Sequence, residues 1–203
     1  MSARVVDGVR LPSALGGHPA LDFCNTRAGW QVDDPIDYLL DHRFLTVWAR
    51  EAGLVSAAGA RSTLRAGRAQ PQVAEAVTDA ARGLRASLYD VLAGPRSDAA
   101  WRYVSVAASA AASVAELSAP HPVARWTLPD ATGLELPLLA VALSAAELLT
   151  SDLVTALSSC PMPDCGWLFW DPRGRRTWCS MAVCGNRAKV RRYAARHRDL
   201  THS

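Results

Sequence analysis

Four cysteines near the carboxyl end constrain this chain more than any other feature. Cys160, Cys165, Cys179 and Cys184 fall in the pattern C-x4-C-x13-C-x4-C. Two close pairs joined by a longer loop suit a tetrahedral metal site, because each pair closes a tight turn on the ion. The pairs also resemble each other: Cys-Pro-Met-Pro-Asp-Cys-Gly at 160–166 is echoed by Cys-Ser-Met-Ala-Val-Cys-Gly at 179–185. In each, a glycine follows the second cysteine, where the chain turns back and backbone N–H groups reach sulfur. Residues 160–203 alone hold too little aliphatic core to fold unaided. The pattern therefore predicts one Zn2+ ion on these four thiolates. A closed set of four thiolates leaves no position for water, so the metal is expected to be structural, stabilising the module by about 10–16 kcal/mol.

The remainder of the 203 residues is long enough to bury a core without metals or disulfides. Half the chain is hydrophobic and a fifth is charged, which fits a soluble globular protein. A helical domain over 1–157 and a zinc finger over 158–203 are expected, abutting at Ser158-Ser159 with no flexible tether. Residues 1–20 lack the basic start and apolar core of a secretory signal. A cytoplasmic location is therefore expected, where thiols stay reduced and clustered cysteines favour metal over disulfides. The most apolar stretch, Leu136 to Leu149, is interrupted by Pro137, Ser144 and Glu147 and is too short and polar for a membrane span. Cys24 stands apart and reads as a small buried hydrophobe.

Helical spacing dominates the first domain, giving a mainly α fold with a minor β-hairpin. After a turn and short segment over 15–26, Asp34 as N-cap and Pro35 at the first position predict a helix reaching Gly53. Ser56 caps a second helix over 57–68. A third runs from Pro71 to Gly94-Pro95, and an Ala-rich fourth runs from Asp98 to about Leu117. Residues 123–136 read as a hairpin, and Pro137 begins an apolar core helix to about Leu157. In the finger, 167–170 and 175–178 read as two hairpin strands. Asn186 is an N-cap candidate for a helix over about 187–198. Knuckle, hairpin, knuckle and helix together describe a treble-clef-like or ribbon-like finger.

Charge separates the two parts. Residues 1–159 carry 13 basic and 16 acidic side chains, a net −3, whereas residues 160–203 carry nine basic and three acidic ones, a net +6. A basic tail on an acidic body points to a polyanion as its partner. Projected on the last helix, Val190, Tyr193, Ala194 and His197 share a stripe expected to pack on the hairpin. Arg187, Arg191 and Arg198 form a second stripe, and Lys189, Arg192 and Arg196 a third. Arg173, Arg175 and Arg176 on the neighbouring turn add to them. Six such contacts to phosphates would give a salt slope of roughly −5 in log K against log[salt]. A solvated basic face offsetting the tetrathiolate charge, or a protein contact, is the competing reading. Trp167, Trp170 and Trp178 read either as base-stacking platforms or as the finger's miniature core.

Residues 160–198 resemble the CGNR zinc finger. The resemblance rests on the tetrad Cys184-Gly185-Asn186-Arg187, the Trp167-Leu168-Phe169-Trp170-Asp171 stretch, the run from Arg175 to Met181 and the Arg-rich helix that follows. Thr177 departs from that pattern, where a further basic residue is expected. Upstream, Gly16-Gly17-His18-Pro19-Ala20-Leu21-Asp22-Phe23-Cys24-Asn25-Thr26 resembles the opening motif of the ABATE domain, which precedes this finger in bacterial proteins. The resemblance implies a stress-induced transcription regulator whose finger binds double-stranded DNA.

Residues 1–159 contain no nucleophile elbow, phosphate loop, dinucleotide fingerprint or metal-binding His pair, so no enzyme is expected. His18, Asp22, Asn25 and Trp30 could line a small-molecule pocket; alternatively, Asp22 and Asn25 make turn and cap hydrogen bonds. His42 and His121 join no constellation. Three readings follow. The chain is a DNA-binding regulator whose helical domain senses an effector or forms a homodimer. Or the helical domain is an enzyme or carrier supported by the finger. Or the finger is a protein-interaction module.

Overall fold

The computed structural model describes residues 3–95, 97–119 and 123–201, with side chains described as far as residue 194. Pro120, His121 and Pro122 lie outside the described residues, as do the side chains of Arg196, His197 and Arg198.

The chain is mainly α-helical, with four two-stranded antiparallel ribbons among the described residues. It opens with β1 (Ala3–Val6) and β2 (Val9–Pro12), a hairpin turning through Asp7-Gly8, both at positive φ. Helix α1 (Pro19–Cys24) follows; the His18 side chain accepts from the Ala20 N–H, and Pro19 sits where no N–H is needed. Next come β3 (Arg27–Ala28) and β4 (Ile36–Asp37), paired with each other.

Here the expected helix start is corrected. Asp34 and Pro35 open no helix; α2 runs His42–Glu51, capped by Asp41, whose carboxylate accepts the Phe44 N–H at 2.7 Å. Residues 36–37 are drawn into the ribbon instead, and the buried Arg85 guanidinium fixes Asp37 there at 2.5 Å. Gly53, at φ 74°, ends α2 as expected.

Helix α3 (Ala57–Ala69) is capped by Ser56, and α4 (Pro71–Ala93) begins at Pro71 and stops at Gly94. Helix α5 (Asp98–Val114) is shorter than its composition predicts. Beyond it, β5 (Glu116–Ser118) pairs with β6 (Arg125–Thr127). The hairpin thus closes upstream of the position expected, and Asp130–Glu135 is a 3-10 turn. Helix α6 (Leu136–Leu149) is the core helix, packed on α1, α2, α4 and α5. It ends eight residues earlier than expected, in a 3-10 turn Asp152–Ala156 capped by Ser151. By length and composition alone Asp130–Leu149 could cross a membrane; its buried face supplies Leu136, Val141, Ala145 and Leu148 to the core.

The finger's strands also pair differently. β7 (Leu157–Ser159) binds β8 (Leu168–Trp170), so the hairpin brackets the first cysteine pair rather than the loop between the pairs. Residues 175–178 form no strand. A π-helical turn, Met181–Gly185, leads into α7 (Asn186–Thr201). Asn186 is already helical and is not an N-cap: its backbone N–H closes the π-helical turn on Met181 O, and its side chain donates to the Ala182 carbonyl at 3.1 Å. The Val190–Tyr193 stripe does not pack on a hairpin. Val190 and Tyr193 are 68% and 64% exposed.

Candidate metal centre and basic helix

The four cysteines converge. Their sulfurs all lie within 4.8 Å of one another and all four residues are buried. Cys179 Sγ stands 3.6 Å from Cys165 Sγ and 3.5 Å from Cys184 Sγ. With Zn–S bonds near 2.3 Å, a regular tetrahedron has S–S edges of about 3.8 Å, so the cluster has the size of a zinc tetrathiolate. Packed this closely, the thiols perturb one another. Hydrogen bonds from the Cys165 and Cys179 thiols pull Cys160 far below the ordinary thiol range, and the same contacts push those two above it. The site is suited to one zinc ion and, with four sulfurs around it, the metal's role is to hold the chain.

Each knuckle solves its turn in its own way. At the first, the Cys165 N–H donates to Met162 O and the Cys160 N–H to Trp167 O, at 2.9 and 2.8 Å. Gly166 there adopts φ 70°, a conformation that disfavours any side chain. At the second, Gly185 is helical and needs no positive φ; the Met181 thioether packs over it where a Cβ would stand.

The first knuckle is locked to the helical domain. Asn25, fully buried, donates from Nδ2 to Leu168 O at 2.8 Å and accepts the Leu168 N–H on Oδ1 at 2.7 Å, acting as a strand partner for β8. The Gly29 N–H donates to Cys165 O at 2.9 Å, Tyr89 donates its hydroxyl to Gly166 O at 2.8 Å, and the Trp167 indole donates to Arg27 O at 2.9 Å. Trp170 N–H reaches Gly16 O at 2.8 Å. Trp167, Leu168 and Phe169 join the same buried cluster as Leu21, Phe23 and Leu88.

The residues expected to line a pocket are therefore split. Asp22 accepts the Leu15 and Gly16 N–H groups, both at 2.8 Å, and its burial raises its pKa against those bonds. Burial lowers the pKa of His18. These two border a cavity of about 270 Å3 with Leu11 and Trp48. Asn25, hydrogen-bonded to the Asp22 side chain, and Trp30 do not line that cavity but reach the finger, where Trp30 stacks on Tyr89 with ring centroids 3.8 Å apart.

The basic residues also divide. Arg187 donates to Asp164 Oδ2 at 2.6 Å and to Cys184 Sγ at 3.3 Å, tying α7 to both knuckles. Arg191 reaches the same carboxylate at 3.5 Å. Arg176 donates to Cys179 O at 2.7 Å and to Leu15 O at 3.4 Å, and lies over the Phe169 ring. Its backbone N–H meets Asp171 Oδ2 at 2.7 Å; this and neighbouring N–H groups hold the Asp171 carboxyl below the usual carboxylate range. Arg173, Arg175, Lys189 and Arg192 are exposed, and among the described residues none pairs with a carboxylate. Arg196 lies on α7 with its side chain outside the described residues. Of the tryptophans, Trp167 is core and Trp170 is 37% exposed. Asp164 was not anticipated from the sequence. Its only signal was its place inside the first knuckle, opposite an arginine-rich helix.

Fold and site together define a helical protein carrying a four-cysteine zinc finger. Residues 157–197 match the model of the CGNR zinc finger. Residues 17–152 match the model of the ABATE family, described as "Putative stress-induced transcription regulator", and the chain belongs to that family. Comparison with curated proteins found no match.

Proposed function

We propose that the protein is a transcription regulator, not an enzyme, that binds double-stranded DNA in the cytoplasm through the basic face of its finger. The observation that carries this is the division of the cations. Arg176 and Arg187 are consumed in building the module and Arg191, still exposed, leans on Asp164 at 3.5 Å, whereas Arg173, Arg175, Lys189 and Arg192 stand exposed without carboxylate partners. Such unpaired cations on a helix and adjoining turn are the electrostatic footprint of a phosphate contact. Four contacts of about 0.9 each give a salt slope of about −3.6, shallower than six would give. Zinc serves as scaffold, and the helical domain serves as effector sensor or homodimerisation unit. Genome-wide immunoprecipitation with sequencing tests the reading. Discrete peaks are expected, and their absence would sink it.

One observation favours a second reading, the finger as a protein-interaction module. The exposed Met181, Val190 and Tyr193 side chains line the outer side of the last two elements. Salt-insensitive binding to a protein, with no affinity for nucleic acid, would select it.

A further inference from the structure

Helix α5 is exposed over most of its surface, yet it is almost without charge. Twelve of its seventeen residues are exposed, and among the seventeen only Asp98 and Arg102 are charged. Its buried residues are Ala100, Val104 and Ala111. Of the fifteen large hydrophobic side chains exposed among the described residues, seven fall between Trp101 and Trp126. A solvated helix carries charge on its outer face, so a helix this apolar and this exposed marks an interface.

The exposed apolar residues are ordered. Ala99, Tyr103, Val106, Ala110 and Val114 recur every three or four residues and so form one stripe. All five are exposed, Val106 by 65%. The first four line a groove of about 570 Å3 whose other walls include Ala80 on α4 and Leu138 and Leu139 on α6. That groove offers a small molecule little to hold. None of its lining side chains is a buried polar group lacking a partner, and the Tyr103 hydroxyl already donates to the Ala80 carbonyl at 3.1 Å.

What the stripe fits is itself. An isologous contact requires that where residue i meets j on the partner, j also meets i. Set antiparallel about a two-fold axis between Val106 and Ala107, the stripe pairs Tyr103 with Ala110, Val106 with Ala107 and Ala99 with Val114. Every pair sets a large side chain against a small one, so two such helices interlock at the usual spacing of about 8–10 Å. The groove's two charges follow the same logic. Arg102 and Glu135 are exposed, opposite in sign and without an ion pair among the described residues. A second copy answers both signs, whereas a partner of one sign answers one.

We propose that α5 is a homodimer interface, packed antiparallel on α5 of a second copy, with the stripe of each copy against the groove of the other. The inference rests on the homodimerisation arm of the proposed function and names its surface. Its test uses no nucleic acid, so DNA binding stands or falls separately.

The experiment is sedimentation velocity of the zinc-loaded full chain at about 1–100 µM, where a dimer with Kd in the micromolar range or tighter is expected. Val106→Asp places two like charges near the axis and should weaken the dimer at least ~100-fold. Ala110→Tyr sets two large side chains opposite each other and should also give monomer; adding Tyr103→Ala to it should restore the dimer. Circular dichroism and zinc content should match the parent chain in all three. Val73→Asp, at an exposed apolar position of α4 outside the groove, should leave the dimer intact. A chain still monomeric at ~100 µM overturns the proposal together with the dimer arm of the reading above. A dimer indifferent to Val106→Asp, or one not restored in the double variant, overturns the interface and leaves that arm standing.

Discussion

The two cysteine knuckles are near copies in sequence and opposites in setting. The first, Cys160–Cys165, is clamped by Asn25, Gly29, Tyr89 and Arg27 and shares the core of the helical domain. The second, Cys179–Cys184, keeps its two cysteines in the same buried cluster but exposes Met181 and Ala182 and opens directly into α7. One half of the finger is anchor and the other half is display, and the metal joins them. The difference explains why a unit with so little aliphatic core keeps its shape. Its anchor half borrows the body's core, and its display half is held by sulfur and by the Arg187–Asp164 bridge.

Zinc removal should have the largest effect on this division. Chelation, or Cys165→Ser, removes stabilisation on the order of 10 kcal/mol. Because the first knuckle is part of the common core, the loss should reach α1 as well as the finger. Hydrogen exchange reads the outcome: deprotection confined to residues beyond 176 would mean that the anchor needs no metal.

Asn25→Ala comes next. It leaves the Leu168 N–H and C=O buried without partners, each costing about 1–3 kcal/mol. A Tm fall of roughly 4–24 °C is expected for a chain of this size. Asn25→Asp sets a buried carboxylate against the Leu168 carbonyl and beside Asp22, and should fall at least as far. A neutral Asn25→Ala would show that the body does not grip the finger.

Arg187→Ala against Lys189→Ala separates scaffold from display. The first removes an N–H···S contact and the Asp164 bridge, and should weaken zinc affinity about 10–100-fold. The second should leave zinc affinity unchanged and reduce the salt slope of DNA binding by about 1. Competition with a chromophoric chelator measures the zinc arm.

The smallest effect is on pH. Burial lowers the His18 pKa from its ordinary 6.5. The unfolded chain then binds the proton more readily than the folded one. This contribution is complete above pH 6.5 and is lost as pH falls from 6.5 towards the lowered folded value. His18→Asn keeps a side-chain acceptor for the helix start and should flatten that part of the Tm–pH curve; an unchanged slope would assign it to other groups.

The metal ligands were legible because thiolate chemistry acts over a few residues and leaves its spacing in the chain. The helices starting at Ser56 and Pro71 were legible for the same reason, since a cap or an N1 proline is a local signal. Asp34-Pro35 carries an equally good local signal and fails, because Arg85, far along the chain, takes Asp37 into a ribbon. The finger's hairpin was misplaced for a related reason. Strand 168–170 is fixed by Asn25 from the body and by Ser159 from before the first cysteine, and neither partner is written in the 167–178 segment. Val190 and Tyr193 have helical spacing that reads as a packed face. The core they were expected to cover is already filled by Trp167, Leu168 and Phe169, so they stay outside. Asn25 reads from the sequence as a pocket or turn residue, because its partner Leu168 lies 143 residues away and leaves no local signal.

Titration of the zinc-loaded full chain with a fluorescent DNA duplex across a range of salt concentrations tests the central claim most directly. The account predicts a linear log K against log[salt] plot with a slope of about −3.6, reduced by about 1 in each of Lys189→Ala and Arg192→Ala. Duplex binding that is absent, or that ignores salt and both substitutions, would contradict it.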